Sequence, residues 1–208
     1  MTRKTYHHGN LREALLDIAN QQLARKGHAD ISLRELARMA GVSPNAAYRH
    51  FADKEALLAA LAAGGFTRMA TEQGKAVAAH QDPMQRHRAA GRTYVRFARD
   101  HPALFRLMFG RQFRKDAALD SSSTLAFDAL RAGAAAALGL PLDDARALTA
   151  AIRAWSLAHG LSQLILDGQL AEFEGELDRL IDSVLQPPEN VRAAARRVAA
   201  GAPKRRRR

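Results

Sequence analysis

The 208-residue sequence contains no cysteine. That absence removes disulfides, thiolate metal sites and cysteine nucleophiles together. No apolar run approaches the ~18 residues of a membrane-spanning helix. The first ten residues, MTRKTYHHGN, carry charge with no apolar stretch behind it, so they do not read as a secretory signal. Also missing are Gly-x-Ser-x-Gly, His-Glu-x-x-His and a phosphate-cradling glycine loop, and His159 has no carboxylate beside it in sequence. Runs of alternating β-branched residues are absent, as is any long-period internal repeat. A soluble cytoplasmic protein that is not an enzyme, with no metal and no cofactor, is the expectation.

What is present is basic charge, unevenly spread. The formal net charge is +11, from 32 Lys+Arg against 21 Asp+Glu. Residues 1–62 hold +3, residues 63–115 hold +8, residues 116–185 hold −7 and residues 186–208 hold +7. Such asymmetry says more than the total. A basic total invites a polyanionic partner but says nothing about fold.

Ala, Leu and Arg dominate, and apolar residues recur at helical spacing, as in Leu11, Leu15 and Ile18, then Leu57, Leu58 and Leu61. Breakers punctuate them at Gly27, Gly41, Asp82-Pro83, His101-Pro102, Pro141, Gly168 and Pro187-Pro188. The class is therefore all-α. Nine helices are expected, over 10–26, 33–40, 44–51, 54–79, 83–100, 102–109, 122–139, 143–167 and 170–185.

Residues 31–58 carry the densest information. Ser32 and Glu35 have the spacing of a capping box, which opens a helix by satisfying two free amides. Gly41 ends that helix, because glycine accepts the left-handed conformation of a sharp turn. Ser43 caps the next helix, and Pro44 takes its first position, where a missing N–H costs nothing. Two short helices around a glycine turn form a helix-turn-helix over 32–51. Ala47 and Phe51 face inward at i, i+4, which leaves Asn45, Ala46, Tyr48, Arg49 and His50 outward or on the flanks. These are groups able to meet base edges and phosphates in a major groove. Lys54 stands in a first helical turn, the unfavourable end of the macrodipole, where a bound phosphate would account for it; a solvated charge is the plainer alternative.

Residues 9–69 resemble the DNA-binding domain of the tetracycline-repressor (TetR) family of bacterial transcriptional regulators. The likeness rests on the run from Leu36 to Ser43 and on Tyr48-x-His50-Phe51 followed by Lys54-Glu55-x-Leu57. It implies that 44–51 is the recognition helix, with Tyr48, His50 and Lys54 at the DNA backbone or at base methyl groups. It also implies Asn45 and Ala46 at base edges. With Ser43 and Arg49 these make the expected DNA-binding set. The arm Arg3–His8 reads either as a phosphate or minor-groove contact or as a plain leader.

The family pairs such a head with a helical domain that dimerises and holds an effector, and residues 83–186 fit that organisation. Gly64-Gly65 reads as a bend or a point of close packing in the helix leaving the head, with a hinge as the alternative. Arg88, Arg92, Arg96 and Arg99 form a stripe that reads as a solvated face. Trp155, His159 and Gly160 resemble the Trp–His–Gly (WHG) subset of the family's C-terminal domains. Expected effector-pocket residues are Tyr94, Phe105, Met108, Phe109, Trp155 and His159, with ordinary helix packing as the competing reading. The apolar faces of 143–167 and 170–185 are expected to form a four-helix bundle with a second copy.

These readings converge on a ligand-responsive repressor that binds a palindromic operator in double-stranded DNA as a homodimer, with a small molecule as effector. The alternative is a nonspecific nucleic-acid-binding protein driven by the basic, unstructured tail 187–208 and its terminal run Lys204–Arg208.

Overall fold

A computed structural model describes residues 11–110 and 117–186, with only the backbone of 117 and 118. The expectations for the arm Arg3–His8 and the tail 187–208 lie outside the described residues. Nine α-helices, and no strand, occur among the described residues: α1 Leu11–Lys26, α2 Leu33–Met39, α3 Pro44–Tyr48, α4 Lys54–Ala78, α5 Pro83–Asp100, α6 Pro102–Met108, α7 Ala117–Leu138, α8 Ala145–Leu166 and α9 Leu177–Val184.

The described residues group into two compact units, one drawn from those up to Arg68 with those of Asp100–Thr124, the other from Met69–Arg99 with those from Leu125 onward. The first is built on Leu15, Leu23, Leu36, Leu57, Leu58 and Phe105, all essentially sealed from water. Helix α6 packs on α1 in this unit. The paired glycines do not break α4. Gly65 is instead a point of close approach, since a Cβ there would lie 2.7 Å from Met108 Sδ. Gly64, one residue earlier, has open space around it.

The second unit centres on Val95, Phe97, Ala147, Ala151 and Ile181. Along one seam α5 meets α9: Arg92 pairs with Asp182, while Arg96 and Arg99 reach Asp178 at 3.1 and 3.3 Å. The solvated-face reading of the arginine stripe is corrected for these three residues. The basic middle of the chain is in part neutralised by its acidic later region.

Several local expectations shift. The capping box at Ser32 does not form: no side-chain cap bond is made, and Glu35 instead accepts from Lys26 at 2.8 Å. A full charge within reach outcompetes a neutral amide for the carboxylate. That ion pair also holds the Glu35 carboxyl below its ordinary value. Helix α3 ends at Tyr48, and its last turn tightens, with His50 N–H donating to the Ala47 carbonyl at 3.0 Å. Helix α7 starts at Ala117, ahead of the expected 122. The segment expected as one helix over 170–185 divides into a 3-10 stretch, Ala171–Glu176, and α9. Three glutamates and Gly175 in that stretch disfavour a regular helix.

Candidate nucleic-acid interface

The turn between α2 and α3 is closed by backbone geometry. Gly41 sits at φ +73°, Val42 N–H donates to the Ala37 carbonyl at 2.9 Å and Gly41 N–H to the Arg38 carbonyl at 3.2 Å. This is the paired hydrogen-bond pattern of a Schellman stop, which requires a residue comfortable with positive φ. Ser43 then caps α3 by accepting from Ala46 N–H at 3.3 Å. Pro44 occupies the first helical position.

Burial sorts the helix into two faces. Ala47 is fully buried and Phe51 nearly so. Ser43, Asn45, Arg49 and His50 are exposed, and Ala46 is half-buried. Tyr48 is 42% exposed, which excludes it as a core aromatic. Asp53 caps α4 by accepting from Ala56 N–H at 2.7 Å. Lys54 reaches back to the loop after α1 and donates to the Ala29 carbonyl at 2.5 Å. That bond orders the side chain and uses one of the ammonium's three donors.

A groove of about 400 Å³ adjoins this surface, lined by Arg12, Leu16, His50, Phe51, Ala60 and Gly64 among others. The guanidinium of Arg12 lies 5.2 Å from the centroid of the Phe51 ring. Arg12 was not among the residues singled out from sequence. The signal was nonetheless present, since Arg12, like Lys54, is a cation in a first helical turn.

The second unit brings three of the expected effector-pocket residues together. The Tyr94 hydroxyl accepts from the Trp155 indole N–H at 3.3 Å and lies 2.7 Å from His159 Nδ1. The other ring nitrogen of His159 is 3.4 Å from the Gln163 amide nitrogen. Phe127, unremarked in the sequence, stacks edge-on against Trp155 at 5.9 Å. Burial lowers the His159 pKa, which favours the neutral ring, and raises that of the Tyr94 phenol, partly offset by the Trp155 hydrogen bond. The remaining three, Phe105, Met108 and Phe109, lie in the first unit. There Phe109 stacks on Phe66 at 5.3 Å, and Met108 covers Gly65.

Residues 15–61 match the family described as bacterial regulatory proteins, tetR family, and residues 87–187 match the tetracyclin repressor-like C-terminal domain. The chain belongs to the TetR family. It is a TetR-family transcriptional regulator with a DNA-binding domain. This TetR-family chain is 31% identical to a solved protein of unknown function from Rhodococcus sp. RHA1, with a TM-score of 0.73 over 96% of this chain and 98% of that one. A TetR-like transcriptional regulator from the same organism shares the fold at 18% identity, with a TM-score of 0.59 over 95% and 100% of the two chains. An uncharacterized HTH-type transcriptional regulator from Haemophilus influenzae is 51% identical over 47 residues, which is 22% of this chain and 23% of that relative. That match thus spans about a quarter of the relative's length. No helix among the described residues is long and apolar enough to cross a membrane.

Proposed function

We propose that this TetR-family regulator is a ligand-responsive repressor that binds a palindromic operator as a homodimer. One observation carries the DNA-reading part. Helix α3 and the turn that follows it, anchored by buried Ala47 and Phe51, present Asn45, Tyr48, Arg49 and His50 to solvent behind a capped helix start. Ser43 and the remaining two donors of Lys54 are assigned to phosphates, and Asn45 and Ala46 to base edges.

Homodimerisation is supported by α8, where Ile152, Leu157 and Leu164 are each close to half exposed. Gly160 among them has nothing within 4 Å of where a Cβ would stand. An apolar stripe of this kind calls for a cover, and a second copy supplies one by two-fold symmetry. The likeness to the Trp–His–Gly subset belongs to this proposal, with Gly160 on the pairing face and Trp155 and His159 on the effector side. Tyr94, Trp155 and His159 form a polar and aromatic wall suited to a small molecule with hydrogen-bonding groups. An effector that prefers one arrangement of the dimer weakens DNA binding by the factor by which DNA weakens its own binding.

The test is an electrophoretic mobility shift with the full chain on the DNA upstream of its own coding region and on duplexes selected from random sequence. A retarded band that survives competitor DNA supports the proposal. If neither DNA binds better than competitor, the proposal fails.

A further inference from the structure

Among the described residues, Arg88, Arg92 and Arg131 each have an Nε sealed from water with no hydrogen-bond partner. Arg92 has its charge partner in Asp182, and Arg88 stands one turn from it on the α5 face that meets α9. Arg131 is a different case. It is the only basic residue of α7, stands in mid-helix and is half-buried. It makes no hydrogen bond or ion pair among the described residues. Asp128, exposed and three residues earlier, has the spacing of a helical ion pair, and that pair does not form. A guanidinium that forgoes a carboxylate on its own helix keeps a buried donor unsatisfied, at a cost in stability.

The surroundings of Arg131 define what would satisfy it. Phe127 lies one turn earlier on the same face of α7, and its ring meets Trp155 of α8 edge-on at 5.9 Å. The Trp155 indole N–H donates to the Tyr94 hydroxyl at 3.3 Å, and that hydroxyl lies 2.7 Å from His159 Nδ1. These bonds hold the indole by its polar edge. Ring surface is left to offer, since Trp155 is 39% exposed. Burial favours the neutral form of His159, so the ring adds no second charge. The corner thus presents aromatic faces beside one unpaired cation, a set complementary to a flat ring with a single negative charge. A guanidinium fork matches a carboxylate through two parallel bonds. One positive charge suits a monoanion better than a dianionic phosphate ester.

We infer that the effector of this regulator is an aromatic carboxylate, with its ring against Trp155 and Phe127 and its carboxylate on Arg131. The inference rests on the effector reading above and names the class of compound which that reading leaves open. Arg131 is the residue that selects for charge, because Tyr94, Trp155 and His159 carry none.

The experiment uses the full chain and two probes of nearly equal shape, benzoate and benzamide, of which only benzoate is charged. Trp155 is the chain's single tryptophan, so its emission reports on this corner, and calorimetry supplies the affinities. Benzoate binds the wild-type chain about tenfold more tightly than benzamide. Arg131→Met abolishes that preference and leaves benzamide within about twofold of its wild-type affinity, whereas Arg131→Lys keeps part of the preference. Without ligand, Arg131→Met unfolds at the wild-type Tm or above it, because no partner is lost. Equal affinity for the two probes overturns the inference, and a saturable Trp155 response to both then leaves the effector site standing. A benzoate preference that survives Arg131→Met also overturns it, as does a lowered Tm with both probes weakened alike, which marks a packing role. If neither probe changes the Trp155 emission saturably, the effector reading falls and this inference with it.

Discussion

Arg92 of α5 and Asp182 of α9 face one another with the Nε and Oδ1 atoms both closed off from water. One turn away the same seam is wetter, for Asp178 is 55% exposed where it meets Arg96 and Arg99. The two aspartates should therefore differ in worth. Asp182→Asn leaves the Arg92 Nε without its charge partner and costs about 1–2 kcal/mol, less than a fully buried pair because the two side chains remain 35% and 39% exposed. Asp178→Asn costs at most about 1 kcal/mol, because an exposed pair is screened. Thermal unfolding at low and at high salt checks this, with the larger fall in Tm at Asp182 and the stronger salt dependence at Asp178.

Gly64 and Gly65 should respond in opposite directions to alanine. Gly64→Ala adds a Cβ in open space, so it gains helix propensity of about 1 kcal/mol. Gly65→Ala places the same atom against the buried Met108 and Leu104 side chains. Overpacking of about 1–3 kcal/mol outweighs the propensity gain there. Denaturant titration should show Gly64→Ala with a higher midpoint and Gly65→Ala with a lower one.

Acid should loosen the fold below the ordinary histidine range. His87 and His159 both have pKa values lowered from 6.5 by burial, so the unfolded chain takes up their protons first as pH falls. The stability of their neutral forms is complete above about pH 6.5 and is lost as pH drops toward the folded values. Tm measured from pH 7 to pH 5 should fall. Replacing both His87 and His159 with Gln should flatten that part of the curve.

Substitutions on α3 should separate reading from holding. Asn45→Ala should change which bases are preferred, since Asn45 is assigned to a base edge. We place the Tyr48 hydroxyl at the DNA backbone, so Tyr48→Phe should weaken all sites alike. Selection profiles for each variant against wild type distinguish a shifted preference from a uniform loss.

Much of the head was legible because its signals are local. Gly41, Ser43-Pro44 and Asp53 act through their own backbone neighbourhoods, and all three do in the fold what their types require. Ser32 failed as a capping box because Glu35 has a competing partner nine residues earlier in Lys26, which local spacing does not register. The arginine stripe misled for the same reason at longer range, its partners being 82 and 90 residues away. The contact of Tyr94 with Trp155 and His159 likewise depends on helix packing across more than sixty residues. Chemistry alone grouped Phe105 and Met108 with them, whereas packing on the head decided where those residues went.

The central claim is that this chain reads a symmetric DNA site through α3. Sequencing the duplexes that the purified chain retains from a random library tests it most directly. The account predicts one enriched motif with two-fold symmetry, its half-sites about 34–36 Å apart or a multiple of that. It also predicts that removing 187–208 leaves the motif unchanged. A library that emerges unenriched, or retention that vanishes with the basic tail, would contradict it.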